Sequence, residues 1–309
     1  MNKTVIWIVV SFFLILITGI ILGSLIITNN SETNRYEISD NFKDIKIITD
    51  TADIEFVISE EEKKIVVCNE QKNINHLVKV KDNTLLIEVV DNRKWYEYIG
   101  INFSKSKITI YLPKSEYGKL SVESSTGNIK IPKDFKFKNI DILASTGDIE
   151  NYASVDDNIK IKTSTGNIYT ENIIANTIDL STSTGDVDII NVNCLGDIKI
   201  KVSTGNTKLI NTNCKNLITK GSTGYIFLEK VIATEEFSIE RDTGNVKFIS
   251  CDASDIFIKT DTGNVRGSLL TGKVIFAQTD TGMVDVPKIM ADQKCEIITD
   301  TGDIKIVIE

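Results

Sequence analysis

The sequence has 309 residues, a net charge of −8 from 35 Lys and Arg against 43 Asp and Glu, five cysteines and one histidine. The negative charge and the scattered arginines exclude an obvious nucleic-acid-binding surface, and five cysteines without a C-x-x-C pair suggest neither a disulfide framework nor a zinc site. The length would usually mean two domains, but a solenoid grows by adding rungs, so length alone does not divide this chain.

Residues 5–28 carry no charge and predict a transmembrane helix. A helix of this length reaches about 36 Å, enough for a hydrocarbon core of about 30 Å. The segment lacks an A-x-A-like cleavage site and a lipobox-like cysteine, which favours an uncleaved anchor over a cleaved signal peptide. Lys3 and the amino terminus precede the span, and Arg35 and Lys43 follow it. The positive-inside rule then predicts a single-pass protein of the cell membrane, with residues 1–28 as cytoplasmic stub and membrane helix and the remainder extracytoplasmic.

Between the span and the repeats, residues 29–37 are polar and predict a tether, and residues 38–118 predict irregular opening rungs that cap the stack. Strands are expected at IVVC (65–68), LLIEVV (85–90) and ITIYLP (108–113). The aromatic segment WYEY at 95–98 interrupts this region; covering the end of the stack is favoured over contact with a partner or the membrane interface.

Ten Thr-Gly pairs recur every 19 or 20 residues through 119–309. Their glycines are Gly127, Gly147, Gly166, Gly185, Gly205, Gly224, Gly244, Gly263, Gly282 and Gly302. A fixed period of this length indicates a stacked array in which each unit buries its apolar face against its neighbours. Leucine-rich repeats would require Leu and Asn at fixed places, and propeller blades would require about 40 residues per unit.

Alignment on the glycine gives apolar columns seven and five residues before it and two residues after it. Ile159, Ile161 and Ile168 show these columns in one unit. Two apolar positions two residues apart indicate a strand with one face inward, and the change of parity across the glycine indicates a corner. The chain is therefore predicted to be all-β, a single-stranded β-solenoid or β-helix of about ten rungs of 19–20 residues, preceded by one transmembrane helix.

The Thr-Gly pair itself predicts turn chemistry. Glycine suits a turn that requires a positive φ, and Asn or Asp follows it in eight of the ten copies because both tolerate such geometry. The parity of the strand points the threonine inward, where its hydroxyl would bond backbone groups that the turn leaves unpaired. The segment DTADIEF, at 50–56, resembles a degenerate copy with Ala52 in the place of the glycine.

The STG[DN] rungs, the opening DTADIEF unit and the run from ITIYLPK into KLSVESSTGNIKI resemble the bacterial toastrack, or putative-adhesin, family of domains of unknown function. The resemblance covers about residues 40–309. It implies a β-solenoid behind a membrane segment and an association with Lia-type envelope-stress systems. It carries no catalytic residue that can be transferred to this chain.

Four units read Asp-Thr-Gly, like the catalytic motif of aspartic proteases, in which two carboxylates meet across a cleft. The aspartates are Asp242, Asp261, Asp280 and Asp300. Serine occupies the same column in the first six units, which a turn-capping position accepts, and stacking places the aspartates in a line rather than a facing pair. With Asp303 near its end, that line is one in which Ca²⁺ would relieve repulsion. Solvated turn caps are the favoured interpretation, since the dense G-G-x-G-x-D pattern of calcium-binding β-rolls is absent.

Three other residues invite chemistry. Cys194 and Cys214 both lie nine residues after a glycine, in a column of small residues, so core packing is favoured over a disulfide or reactive pair. His76 has no Cys or carboxylate cluster around it in the sequence, and a surface or partly buried structural histidine is expected. We predict no catalytic, cofactor-binding or metal-binding residue and no cofactor.

The sequence therefore favours a non-enzymatic, membrane-anchored binding or scaffold protein of the bacterial cell envelope, adhesin-like or related to envelope stress. Its expected partners are the membrane and an envelope component or membrane protein, with no nucleic acid. One alternative is a carbohydrate-active β-helix enzyme, a lyase or hydrolase, for which Arg241 and Arg266 beside the Asp column are the basic residues to test. Another is a sensor subunit that couples to a membrane partner through residues 5–28.

Overall fold

The computed structural model describes residues 31–71, 73–92 and 106–309. The transmembrane helix predicted at 5–28 and the aromatic segment 95–98 lie outside these residues. Within the described ranges, no helix combines the length and the apolar character needed to cross a membrane. Every regular element in the described ranges is a β-strand, which confirms the all-β prediction.

Six strands precede the regular repeats: β1 (Ser31–Glu37), β2 (Asp44–Ile58), β3 (Ile65–Gln71), β4 (Ile74–Lys81), β5 (Thr84–Asp91) and β6 (Ser106–Leu112). The strands expected from IVVC, LLIEVV and ITIYLP are all present as β3, β5 and β6. The repeats then contribute β7 (Glu116–Thr126), β8 (Ile129–Ile131), β9 (Lys136–Thr146), β10 (Ile149–Asn151), β11 (Ser154–Val155), β12 (Asn158–Thr165), β13 (Ile168–Glu171), β14 (Ile174–Ala175), β15 (Thr177–Thr184), β16 (Val187–Cys194), β17 (Asp197–Thr204), β18 (Thr207–Cys214), β19 (Asn216–Thr223), β20 (Ile226–Ala233), β21 (Glu236–Thr243), β22 (Val246–Cys251), β23 (Asp255–Thr262), β24 (Val265–Leu269), β25 (Val274–Thr281), β26 (Val284–Asp285), β27 (Lys294–Thr301) and β28 (Ile304–Ile308).

Strands that precede a Thr-Gly turn pair with one another in parallel, and so do strands that follow one. Ile159, for example, is in register with Ile140 and Ile178 of the neighbouring rungs. We name the sheet before the turns the first sheet and the sheet after them the second sheet. Strand β2 runs through both, so the 28 strands of the described chain form one continuous hydrogen-bonded structure. This confirms a parallel β-solenoid of about ten rungs.

The predicted apolar columns fill the interior. Ile159, Ile161 and Ile168 are buried, as are most of their counterparts in the other rungs. Burying an aliphatic side chain of this size stabilises the fold by about 1.5–3 kcal/mol. Because the interior is packed with side chains, the surface that remains for contact with other molecules is the outer faces and the two ends of the stack.

Two physical reasons explain the glycine of each turn. Nine of the ten glycines have φ between 137° and 156°, a range that L-residues rarely adopt. The rungs also stack so closely that a Cβ on Gly147 would lie 2.0 Å from the carbonyl oxygen of Gly127. Gly263 separates the two reasons: its φ is outside that range, yet a Cβ there would lie 2.1 Å from the oxygen of Gly244.

The prediction that the threonine of each Thr-Gly pair points inward is wrong. All ten of these threonines are exposed, because the extended strand continues up to the turn and keeps its alternation. The inward position is the third residue before the glycine. There Thr182 donates a hydrogen bond to the carbonyl oxygen of Gly166 (3.0 Å), and Thr260 donates one to Gly244 (3.2 Å). The expected hydroxyl-to-turn bond therefore exists, but a different column supplies it.

The Asn or Asp after each glycine has a role beyond tolerance of turn geometry. The side-chain oxygen of Asp148 accepts a hydrogen bond from the backbone N–H of Asn167 (2.7 Å), and Asn167 accepts one in turn from Asp186 (2.9 Å). The same bond links most successive rungs, from Asp53 onward. The ladder satisfies a backbone donor at every turn that it joins, which explains the Asn or Asp preference.

A second corner lies six residues after the glycine, where five consecutive rungs have a non-glycine residue with φ between 49° and 56°. Asn172, Asn191 and Asn211 occupy three of these positions and bond one another through their side-chain amides at 3.0 Å. Asparagine adopts this conformation more easily than most residues. Each rung thus bends twice, once at glycine and once at this corner.

The rungs do not stack in chain order at either end. Strand β27 pairs with both β23 and β25, so the last rung lies between the two that precede it in sequence. At the other end, β2 pairs with β5 and β6 on one side and with β7 and β8 on the other. The degenerate copy predicted around Ala52 is confirmed by this pairing, since Thr51 aligns with Thr126 and Ile54 with Ile129.

Candidate ligand-binding cleft

Two tyrosines flank a concavity of about 410 Å³ on the outer face of the second sheet. Tyr152 follows β10 and Tyr169 lies on β13, one rung further along, with both side chains half-buried. Their ring centroids are 5.7 Å apart and their planes are tilted by 54°, so the rings form an open angle rather than a closed stack. Tilted pairs of this separation are favourable aromatic contacts.

Carboxylates hold both phenol groups in place. The hydroxyl of Tyr152 donates to Glu150 Oε2 (3.2 Å), and the hydroxyl of Tyr169 donates to Glu171 Oε2 (2.8 Å). Lys130 Nζ lies 3.0 Å from Glu150 Oε2 and 5.8 Å from the Tyr152 ring centroid, which is within cation–π range. One cation of the chain itself therefore already binds an acid and an aromatic ring at the rim of the cleft.

Acidic residues from three rungs complete the cleft. The register places Tyr169 between Glu150 and Asp188, and Asp148 and Asp186 line the same concavity from the turn side. The residues that line it include no lysine or arginine. The cleft thus combines two aromatic rings with an excess of negative charge.

Burial and neighbouring acids shift protonation in the cleft. Burial and the adjacent Glu171 raise the pKa of Tyr169 to about 12, so this phenol stays a neutral donor at physiological pH. Burial raises the pKa of Asp188, with Asp186 adding to the rise and Lys208 opposing it. A carboxyl shifted in this way gains the most from a cation that binds beside it.

This arrangement has the groups for recognition and lacks those for covalent chemistry. Aromatic faces and carboxylates attract cationic groups, and the carboxylates also accept hydrogen bonds from hydroxyl or amine donors. The residues that line the cleft include no cysteine, histidine, serine or threonine as a nucleophile or general base. The sequence analysis missed the cleft because Tyr152 and Tyr169 belong to different columns, five and three residues after their glycines.

The Asp column lies on the surface, and its order differs from the sequence order. Asp242, Asp280 and Asp300 are exposed and Asp261 is half-buried. Because the last two rungs are exchanged, the register places Asp300 between Asp261 and Asp280. Among the described residues, these aspartates do not form a group whose ligand atoms converge on one point. Asp303 belongs to the backbone ladder, where it accepts from Met283 N (3.0 Å).

Arg241 does not flank the Asp column on the surface, as predicted, but lies inside the solenoid with 2% of its surface exposed. Gly221 of the preceding rung makes room for it, since a Cβ there would lie 2.2 Å from the guanidinium. The guanidinium donates to Val202 O (2.9 Å) and to Thr207 Oγ1 (3.3 Å), and burial lowers its pKa. Arg266 is exposed and lies 3.9 Å from Asp303.

The five cysteines are free and buried. Cys194 and Cys214 pack as small core residues in adjacent rungs, aligned with Ala175 and Ala233, which agrees with the prediction of core packing. Burial raises the pKa of the Cys194 thiol to about 11 and that of Cys214 to about 12, so neither forms a reactive thiolate at neutral pH.

The expectation for His76 is wrong in two respects. The ring is buried, with 3% exposure, and it lies beside Cys68 and Glu70. Its Nδ1 is 2.9 Å from Glu70 Oε1 and its Nε2 is 2.9 Å from Thr49 Oγ1. The cluster escaped the sequence analysis because strand pairing, rather than short spacing, brings Thr49 of β2 to the β3–β4 hairpin.

Three comparisons relate this chain to known proteins. A family model described as Toastrack DUF4097 matches residues 42–230. A comparison with curated proteins finds no match.

Solved structures share the fold. A protein called a putative lipid binding protein, from Parabacteroides distasonis, has 18% sequence identity and a TM-score of 0.50, with 90% of this chain and 97% of that chain covered. A putative adhesin from the same species has 14% identity and a TM-score of 0.49, with 90% and 97% covered. A putative adhesin from Bacteroides fragilis has 18% identity and a TM-score of 0.44, with 91% and 98% covered. At these identities the likeness extends to the fold alone.

Proposed function

The chain belongs to the Toastrack DUF4097 family, and on this premise we propose that it is an adhesin-like binding protein of the bacterial cell envelope. In this proposal residues 5–28 anchor it in the cell membrane as a single-pass helix, the solenoid is extracytoplasmic, and its role is binding rather than catalysis. A link to envelope stress belongs to the same proposal, through the family resemblance.

The observation that carries the proposal is the Tyr152–Tyr169 cleft on a solenoid whose interior is filled. The interior offers no channel for a ligand, so contacts must be made on outer faces and ends. The cleft is the place on the second sheet where aromatic rings and acids from consecutive rungs meet. The ligand group that fits it is positively charged, such as a lysine or arginine side chain of a partner or an amine of an envelope polymer.

Photo-crosslinking in cells tests this contact. A photoreactive residue replaces Tyr169 in the full-length protein, and the matched control carries it at Lys160, an exposed position on the outer face of the first sheet. We expect a discrete crosslinked product from position 169 that is weaker or absent from position 160. Equal crosslinking from both positions would show that the cleft has no special role.

The charge of the ligand can be tested by pH. Because the folded-state pKa of Asp188 is raised, this carboxyl becomes neutral first as the pH falls, and binding of a cationic group should weaken there and be complete above that pKa. Asp188→Asn should lower the affinity and flatten this pH dependence, whereas Asp179→Asn on the first sheet should do neither. Affinity that increases on acidification would contradict a cationic ligand.

The anchor and the orientation need a separate test. Full-length protein should stay with the membrane fraction after alkaline carbonate extraction, and protease added to intact cells should digest an epitope at the C-terminus. An epitope that is protected until the cells are lysed would place the solenoid in the cytoplasm and refute the extracytoplasmic assignment.

A further inference from the structure

Three side chains of the kinds that bind transition metals converge in the strands at the amino-terminal end of the stack. Cys68 and Glu70 lie two residues apart on β3, so they face the same side of the strand, and the β3–β4 hairpin brings His76 opposite them. The thiol sulfur, a carboxylate oxygen and an imidazole nitrogen lie within 4.8 Å of one another. This is the only such group of three among the residues that the structure describes.

Burial distinguishes this group from the acidic residues on the surface. Cys68, Glu70 and His76 have 0%, 1% and 3% of their surface exposed. Glu70 accepts hydrogen bonds from the backbone N–H of His76, from the His76 ring and from Asn34 Nδ2 (2.5 Å). The Cys68 thiol differs, since no hydrogen bond satisfies its sulfur within the described part of the chain, although Cys194 and Cys251 each donate to backbone carbonyls. A buried polar group without a partner that faces two ligand-type side chains calls for an explanation.

We propose that Cys68, Glu70 and His76 bind a zinc ion. Zinc accepts sulfur, nitrogen and oxygen ligands together, at about 2.3 Å for sulfur and about 2.0–2.2 Å for nitrogen and oxygen. Tetrahedral ligands at these distances are about 3.2–3.8 Å apart, so the present separations need only a small contraction around the ion. Calcium and magnesium are disfavoured because both require oxygen ligands.

The hydrogen bonds around the cluster fit the protonation changes that zinc requires. The thiol of Cys68 loses its proton to solvent when the Zn–S bond forms. If Nδ1 of His76 binds the ion, its proton leaves that position and the ring carries its one N–H on Nε2, which donates to Thr49 Oγ1 at 2.9 Å. A threonine hydroxyl can donate or accept, so Thr49 partners either tautomer. Glu70 keeps its bond from Asn34 through the oxygen that does not contact the ring.

The position of the cluster indicates a structural role. Its contacts involve Asn34 on β1, Thr49 on β2, Glu70 on β3 and His76 on β4, and so join four strands at this end of the solenoid. Three protein ligands leave the fourth tetrahedral position for a water molecule. Metal binding to a site formed only in the folded protein adds its binding free energy to the stability of that end.

Cobalt absorption tests the proposal on full-length protein in detergent, first stripped of metal by a chelator. Co²⁺ bound by a thiolate gives sulfur-to-cobalt charge-transfer absorption, which Zn²⁺ should abolish by displacing Co²⁺ at one ion per chain. Cys68→Ser should lose this absorption, and Cys295→Ser, which removes another fully buried thiol near the opposite end, should keep it. Zn²⁺ should raise the melting temperature of the wild type and of Cys295→Ser but not of Cys68→Ser.

Other variants and outcomes keep the test decisive. Thr49→Val, which leaves the three ligands in place, should weaken zinc binding by about tenfold through loss of the bond to the His76 ring. If Cys68→Ser does not fold, zinc-edge X-ray absorption of the wild type should show one sulfur neighbour. Absence of sulfur ligation, or charge-transfer absorption unchanged in folded Cys68→Ser, would overturn the proposal. Co²⁺ bound without a thiolate band would mean adventitious binding to surface carboxylates only.

Discussion

The two ends of the solenoid share one topological device and differ in how they terminate the sheets. At each end a rung is inserted out of sequence order, β2 at one end and β27 with β28 at the other. At the amino-terminal end, antiparallel strands then cover the parallel edges, since β4 pairs with β5, β3 with β6 and β1 with β3. Antiparallel strands reached through hairpins end a parallel stack without exposing an apolar face.

The carboxy-terminal end has no such cover among the described strands. Strand β25 pairs only with β27, so its other edge is open. Phe276, Met283 and Met290 near this edge have 60%, 72% and 100% of their surface exposed. An uncovered edge with exposed apolar side chains is prone to strand addition, which proteins usually prevent with charges, bulges or covering segments. The difference shows that insertion of a rung fixes the order of strands but does not by itself protect an edge.

Buried polar side chains hold both inserted rungs in place. At the amino-terminal end these are Glu70, His76 and Thr49. At the other end Lys273, which is fully buried, lies 2.6 Å from Asp252 and donates to Gln293 Oε1 at 2.6 Å. Gln293 immediately precedes β27, so this lysine connects the inserted rung to one further along the stack.

The largest effect is expected from removing that lysine. Lys273→Met leaves Asp252 as a largely buried charge without its cation and should reduce the free energy of unfolding by about 3–5 kcal/mol. Hydrogen exchange should show the loss of protection first in β25 to β28, with β1 to β4 unaffected. Lys288→Met, at an exposed lysine of the same end, should change stability by no more than about 0.5 kcal/mol.

A second substitution checks the cause of this effect. If the uncompensated charge of Asp252 is responsible, adding Asp252→Leu to Lys273→Met should restore a large part of the lost stability. A double variant as unstable as the single one would mean that packing of the lysine stem, rather than charge pairing, holds this end.

A smaller effect is expected at the amino-terminal end. Thr49→Val keeps the shape of the side chain but removes the hydroxyl that bonds His76 Nε2, which leaves a buried nitrogen without a partner. In chelator-treated protein the cost should be about 1–3 kcal/mol. Denaturation and hydrogen exchange should locate the loss in β1 to β4 and leave β25 to β28 unchanged. Thr51→Val, at an exposed threonine two residues away, serves as the control, and equal destabilisation by both would contradict the assigned bond.

The regular rungs could be predicted from the sequence and the ends could not, for a physical reason. Local strand periodicity and a repeated glycine determine the columns, so Ile159, Ile161 and Ile168 were assigned to the core correctly. The order in which rungs stack depends on non-local pairing, and a repeat with equivalent columns fits several orders equally well. The insertion of β27 between β23 and β25 therefore leaves no signal in the period.

The individual errors have similar causes. The threonine of each turn was directed inward because the corner was placed one residue too early, whereas the strand alternation continues to the glycine. Arg241 was placed on the surface because of its charge, and the signal that it lies inside is Gly221, the missing side chain at the same column of the preceding rung. The Tyr152–Tyr169 cleft and the His76 cluster combine residues from different columns or different strands, which an alignment on glycine separates.

The smallest change in stability, and the sharpest contrast between the two ends, is expected at the open edge. Phe276→Lys replaces an already exposed side chain, so the free energy of unfolding should change by no more than about 0.5 kcal/mol. A lysine on an edge strand opposes addition of another strand, because its charge would have to be desolvated in the new pair.

Sedimentation velocity over a range of protein concentrations should therefore show less self-association for Phe276→Lys than for the wild type. Leu143→Lys is the matched control: Leu143 is 51% exposed on the first sheet, but its strand β9 is paired on both edges by β7 and β12. If hydrophobic exposure alone caused association, both variants would reduce it equally. If the unpaired edge is the cause, only Phe276→Lys will do so, since Leu143 lies where no further strand can be added.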